Sequence, residues 1–188
     1  MILDLSNTPV ARTASAPKTI RTHEYAPRAA VAPSFRTVPT PTYGALNMKT
    51  HGSAAWQGGI KDGKGTISTR SGALKDYPYG FSSRFEGKPG TNPEELIGAA
   101  HAGCFTMALS LILGEAQLTA ERMETTAEVT LEQVPDGFAI TAVHLTLKAK
   151  IPGADQAKFE KLAGKAKAGC PVSKLLNTKI TLEATLES

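Results

Sequence analysis

Cys104 and Cys170 are the two thiols of a 188-residue chain, and their settings differ. Cys104 lies in the apolar run LIGAAHAGCFTMALSLILGEA, where a free cysteine commonly acts as a small core hydrophobe. Cys170 stands in Gly-Cys-Pro-Val-Ser, at the N-cap of a short helix with Pro171 in its first position. A thiolate there meets free backbone N–H groups and the positive end of the helix, and both lower a thiol pKa. Local electrostatics therefore make Cys170 the more acidic thiol. Two thiols 66 residues apart permit a redox pair, although spacing alone does not establish one. Arg84 falls in FSSRFE, an alternating run that puts Ser82, Arg84 and Glu86 on one strand face. Glu94 and Glu95 sit in the first turn of the helix that carries Cys104 and suit its N-terminus. His101, one turn before Cys104, reads as a buried, hydrogen-bonded histidine within reach of the sulfur, and His144 as a sheet residue. No phosphate loop, Ser-His-Asp signature or metal-ligand cluster is visible. Two cysteines are also too few for a cysteine-rich zinc site or a disulfide-stapled scaffold.

The elements that must hold these residues follow from period and punctuation. Residues 53–58 and 65–70 read as a hairpin around a Gly-rich turn, and 81–86 as a third strand. Asn92-Pro93-Glu94-Glu95 is a helix start, with Asn as N-cap, Pro at the first position and acids in the first turn. The helix runs to about Leu118 and is apolar on nearly every face, which predicts burial. A membrane span over residues 96–113 is long enough, but His101, the small residues and acidic flanks without basic anchors oppose it. Residues 125–134 and 138–151 alternate around Pro135-Asp136-Gly137 as a second hairpin. Residues 155–168 form a Lys-rich amphipathic helix capped by Gly169, a short helix starts at Cys170, and 180–186 is a closing strand. The order βββ–α–ββ–α–α–β is α+β, with a long buried helix on an antiparallel sheet.

Composition narrows the partners. Hydrophobic residues make up 41% and charged residues 20%, enough for a core. The net charge of +4 is concentrated at the start. Residues 1–47 hold five basic against two acidic side chains, whereas 48–188 hold sixteen against fifteen. No basic stripe with interleaved aromatics appears, so no nucleic-acid partner is expected. Residues 1–47, rich in Pro, Ala, Thr and Ser without apolar period, read as a disordered extension to a domain at 48–188. They lack a secretory signal, and thiols need a reducing supply, so the expected location is cytoplasmic.

GTNPEELIGAAHAGCFTMALSLILGEA (residues 90–116) and KAGCPVSKLL (residues 167–176) together resemble the OsmC/Ohr family, its OsmC members in particular. WQGGIKDGKGTISTRSG and YGFSSRFEGKPG are similar as well, so the resemblance spans about 48–188. It implies a thiol-dependent hydroperoxide reductase for organic hydroperoxides and hydrogen peroxide. Cys104 is then the peroxidatic and Cys170 the resolving thiol of an intramolecular disulfide. Arg84 is the arginine that contacts the reactive sulfur, and Glu94 the acid that holds it. The fold implied is an intertwined homodimer with sites at the interface, regenerated by an external dithiol such as a lipoyl protein, without cofactor or metal. Two tensions accompany this. Attack is assigned to Cys104 although Cys170 reads as more acidic, and Glu94 lies about 15 Å along an unbroken helix from Cys104. The competing readings are a non-catalytic stress protein with an apolar ligand in the dimer crevice, and a disulfide-exchange protein. The lack of Cys-x-x-Cys opposes the latter.

Overall fold

The structure is a computed structural model and describes residues 47–187. The expected disordered extension, except for Asn47, lies outside the described residues. The first three strands, β1 (Gly52–Gln57), β2 (Lys64–Thr69) and β3 (Tyr77–Tyr79), form an antiparallel meander in that order. Pro78 sits in β3, which has room for a residue without an N–H because it lies at the sheet edge.

Residues 81–86 are not the strand that their alternation predicts. Phe81–Phe85 is a one-turn helix, α1. Ser83 decides this. Its hydroxyl accepts from Gly80 N (2.9 Å) and reaches Thr91 O (2.8 Å), closing a turn that an extended chain could not make. The same turn brings Phe81 and Phe85, four apart, to a ring separation of 4.9 Å.

α2 (Pro93–Glu115) begins as expected, with Asn92 Oδ1 accepting from Glu95 N at 2.8 Å. It packs on β4 (Arg122–Val134), α3 (Gln156–Gly169) and α4 (Pro171–Leu175), and His101, Phe105, Leu109 and Leu113 are buried. Fully burying Phe105, Leu109 and Leu113 contributes about 1.5–3 kcal/mol each. The opposite face is not covered by the described residues: Met107 is 76% and Leu111 54% exposed. The expectation of burial all round thus holds for one face only. Among the described residues α2 is the one helix long and apolar enough to cross a membrane.

The second sheet has the order β4 (Arg122–Val134), β5 (Gly137–Lys150), β6 (Lys179–Glu187). β4 and β5 form the expected hairpin, with a register shift at Thr130/Leu131. β6 pairs with β5 in parallel, so the expected all-antiparallel sheet is mixed. A parallel return needs a crossover, supplied by α3 (Gln156–Gly169) and α4 (Pro171–Leu175). Gly169 is the last residue of α3, and Cys170 rather than Gly169 caps it. Leu145, Leu147 and Ala149 of β5 and Phe159, Ala163 and Ala166 of α3 are buried with the inner face of α2.

Candidate active site

Both sulfurs sit where helices change direction or touch. Pro171 disfavours a helical conformation in the residue before it, so Cys170 adopts φ −59°, ψ 124°. That single extended residue ends α3 and starts α4. Cys170 N still donates to Ala166 O (2.9 Å), and Cys170 O accepts from Lys174 N (3.0 Å). The side chain is 0% exposed. Cys104 lies across from it on α2, partly exposed.

α2 is fixed at two points near this thiol. A Cβ on Gly98 would stand 2.8 Å from Ala127 O, so only glycine allows α2 this close to β4. Thr106 Oγ1 donates back to Ala102 O (2.8 Å) and bonds Thr125 Oγ1 (2.7 Å). The result is a Cys104–Cys170 Sγ–Sγ separation of 2.9 Å with both thiols free. A disulfide of about 2.05 Å needs less than 1 Å of further approach.

The environments drive the two thiols apart. Burial pushes Cys170 up, but hydrogen bonds from Cys104, from the Ser173 amide and hydroxyl and from the Val172 amide outweigh it. Its thiol is held below the ordinary value. Cys104 is pushed up by burial and then by its hydrogen bond to Cys170, with only the Val172 amide opposing. The structure therefore agrees with the local-electrostatics expectation that Cys170 is the more acidic thiol.

Arg84 and Glu94 form a second pair. Arg84, in the last turn of α1, donates from Nε to Glu94 Oε2 (3.0 Å) and from Nη2 to Glu94 Oε1 (2.5 Å). This two-pronged pairing fits the planar guanidinium fork. The guanidinium also lies 5.2 Å from the Phe85 ring. A cavity of about 90 Å³ adjoins it, lined by Trp56, Ile60, Tyr79, Phe81 and Phe85 among others. Within the chain no hydrogen bond or ion pair joins Arg84 to Cys104 among the described residues. A larger open cleft of about 400 Å³ beside Pro152 and Gly153 holds no thiol.

His101 is buried and hydrogen-bonded, as expected, but its partner is not Cys104. Its Nε2 lies 2.8 Å from Ser173 Oγ, 72 residues away. Ser173 itself escaped the sequence reading. The only local sign of it was its position three residues beyond Cys170 on the same short helix. His144 is a sheet residue, 2.6 Å from Thr181 Oγ1 and half-exposed. Among the described residues no cluster of three or more His, Cys, Asp or Glu has a metal-holding arrangement.

The α+β chain thus presses one partly exposed thiol against one buried thiol. Residues 85–185 match the sequence profile of the OsmC-like proteins. The chain is 58% identical over 143 residues to peroxiredoxin OsmC of Escherichia coli K12, covering 76% of this chain and all of that one. It is 33% identical over 101 residues to an organic hydroperoxide resistance protein of Xanthomonas axonopodis pv. citri, covering 53% of this chain and 69% of that one. Among solved structures, the organic hydroperoxide resistance protein OsmC of Legionella pneumophila superposes with a TM-score of 0.57 at 27% identity. That match covers 76% of this chain and 99% of that one. The OsmC-like protein of Mycoplasma pneumoniae, 15% identical, shares the fold with a TM-score of 0.62, covering 76% and 100%. The chain belongs to the OsmC-like family.

Proposed function

We propose that this protein is a thiol-dependent hydroperoxide reductase acting in peroxide defence, carried on residues 48–188. The observation that carries the reading is the 2.9 Å contact between a partly exposed and a fully buried sulfur. The names peroxiredoxin OsmC and organic hydroperoxide resistance protein, borne by its relatives, support the substrate class.

Cys104, the reachable sulfur, attacks. Its proton passes to the Cys170 thiolate in contact with it, and the Cys104 thiolate takes the terminal oxygen of ROOH. The S–O bond forms, the O–O bond breaks, and RO⁻ leaves, taking the proton from Cys170 to become ROH and returning Cys170 to its thiolate. Cys170 then attacks the sulfenic sulfur, releasing hydroxide that is protonated to water. An external dithiol, of lipoyl type, supplies the two electrons that restore the thiols.

A guanidinium beside Cys104 favours its thiolate and steadies the departing alkoxide. Arg84, held by Glu94, takes this role in a homodimer, where the partner subunit brings the pair to the thiols. Two uncovered faces support such assembly. One is the Met107–Leu111 side of α2, and the other is β1, exposed along its whole length. The apolar cavity beside Arg84 suits the alkyl group of an organic hydroperoxide, with hydrogen peroxide a poorer fit. We place the protein in a reducing, cytoplasmic compartment, without nucleic-acid or membrane partners.

The test is thiol counting on the fully reduced protein after one equivalent of cumene hydroperoxide and, separately, of hydrogen peroxide. Loss of both thiols within seconds, far faster than free cysteine, is expected, with cumene hydroperoxide ahead. Retention of both thiols over minutes refutes the reading and favours an apolar-ligand protein with inert thiols.

A further inference from the structure

His101 is a fully buried polar side chain to which the reaction above gives no task. It sits on α2 one turn before Cys104, and its Nε2 meets Ser173 Oγ on α4 at 2.8 Å. Its other nitrogen, Nδ1, is buried with no hydrogen-bond partner. Burying a polar ring costs free energy that a single bond offsets only in part. A leucine would fill comparable space and leave no nitrogen to satisfy, so packing does not account for a histidine here. What the ring adds is direction, because a hydrogen bond fixes register where apolar contacts do not.

The register it fixes is that of the two thiols. Cys104 follows His101 by three residues, and Ser173 follows Cys170 by three. Residues three apart are neighbours on one face of a helix. The 2.8 Å His101–Ser173 contact and the 2.9 Å Cys104–Cys170 contact are thus two rungs one turn apart, between segments that run in opposite senses. Among the described residues they are the two side-chain to side-chain bonds that join α2 to α4. α2 is anchored to β4 through Gly98 and Thr106. α4 has little apolar anchorage of its own. None of its five residues is buried, Leu175 is 79% exposed, and Val172 alone packs on the core, partly buried.

We propose that the His101–Ser173 bond is a positioning rung that keeps Cys170 aimed at Cys104 while the sulfur–sulfur contact is interrupted. The interruption is the sulfenic state. Once Cys104 carries oxygen, the thiol–thiol hydrogen bond is gone, and the neighbouring rung holds α4 in place. His101 and Ser173 are positioning residues that act through Cys170, and no proton moves through them. The proposal rests on the two-cysteine reading above and adds to it the control of the resolving step. In that step the Cys170 thiolate forms the S–S bond, the S–O bond breaks, and hydroxide leaves to be protonated to water by solvent.

The test sets resolution against over-oxidation. A sulfenic acid that waits is taken by a second hydroperoxide to sulfinic acid, with release of ROH. Full-length protein is cycled with cumene hydroperoxide and dithiothreitol, and sulfinic acid at Cys104 per turnover is read by mass spectrometry. A misplacement of about 1 Å costs about 10²-fold, so Ser173→Ala and His101→Leu are each expected to raise that yield by about 10- to 100-fold. kcat/KM for the hydroperoxide, which reports the sulfenic-acid step, stays at the wild-type value. The double variant is expected to match the worse single one, because both substitutions remove one bond. Ser173→Thr, which keeps the hydroxyl, restores the wild-type yield. A merely structural role would lower the melting point and leave the yield per turnover unchanged. Ser173 is only partly buried, so its alanine variant is the one expected to fold without difficulty. A folded Ser173→Ala protein with the wild-type yield overturns the proposal, and so does a double variant whose rise is the product of the two single ones. Failure of the wild type itself to consume hydroperoxide refutes the underlying reading instead, so the two failures are separable.

Discussion

Cys170→Ser separates the formation of a sulfenic acid from its removal, and the geometry sets how large the difference must be. The two sulfurs stand 2.9 Å apart, at or inside the near-attack range of about 3–3.5 Å. Well-aligned groups at such distance react with effective molarities of about 10⁵ M or more, so Cys170 outruns a thiol at about 1 mM by about 10⁸-fold. A misplacement of 1 Å in the working state costs about 10²-fold, which still leaves about 10⁶. A sulfenic-acid trap such as dimedone at millimolar concentration cannot compete with that. Mass spectrometry of reduced wild-type protein, treated with one equivalent of hydroperoxide and the trap together, should therefore show disulfide and almost no adduct. Cys170→Ser should be labelled quantitatively at Cys104. Comparable adduct on both proteins would refute the reasoning, because the reduced contact would then not be the one through which the sulfenic acid is resolved.

Three further outcomes follow from the same coordinates. In Gly98→Ala the new Cβ meets Ala127 O at 2.8 Å, an overpacking cost of about 1–3 kcal/mol against about 1 kcal/mol of regained helix propensity. A melting point a few degrees lower in thermal denaturation is expected, at about 2–4 °C per kcal/mol. Met107→Glu with Leu111→Glu places charge on the exposed Met107–Leu111 face of α2 and should convert the proposed dimer to monomer in sedimentation analysis, while the inner face keeps the chain folded. The pH dependence of unfolding should carry both thiols. The lowered thiol of Cys170 makes stability rise with pH between its folded value and the ordinary 9.0. The raised thiol of Cys104 makes it fall as pH climbs above 9.0. The difference between the reduced wild type and a Cys104→Ala/Cys170→Ala protein in denaturant titrations should therefore peak near that value.

What was legible in the sequence was local. Asn92-Pro93 declared the start of α2, and Asp155 accepting from Lys158 N that of α3. Both signals act within three residues. The setting of Cys170 was readable for the same reason, since Pro171 acts on its immediate neighbour. Phe-Ser-Ser-Arg-Phe was misread because it fits a period of two and also an i, i+4 pair. The choice between them is made by Thr91, eight residues beyond Ser83, which no window over 81–86 includes. The parallel pairing of β6, the Sγ–Sγ contact and the His101–Ser173 bond join residues 37, 66 and 72 positions apart. The thiols could be nominated as reactive, but their meeting is a property of the crossover. Arg84 and Glu94 meet each other across ten residues, a pairing that α1 creates and that a strand at 81–86 would have pointed elsewhere.

The crossover also gives the thiol pair a place in time. Synthesis proceeds from the N-terminus, so α2 and the β4–β5 hairpin exist before the last strand does. Cys170 is carried on the connection between β5 and β6, and a parallel connection has no local turn to close it early. The two helices that meet at it, α3 and α4, both pack on α2. The Cys104–Cys170 contact therefore joins α2, made early, to a crossover made late. The closeness of the two sulfurs is thus a mark of a docked crossover, because it exists only where the junction of α3 and α4 lies against α2.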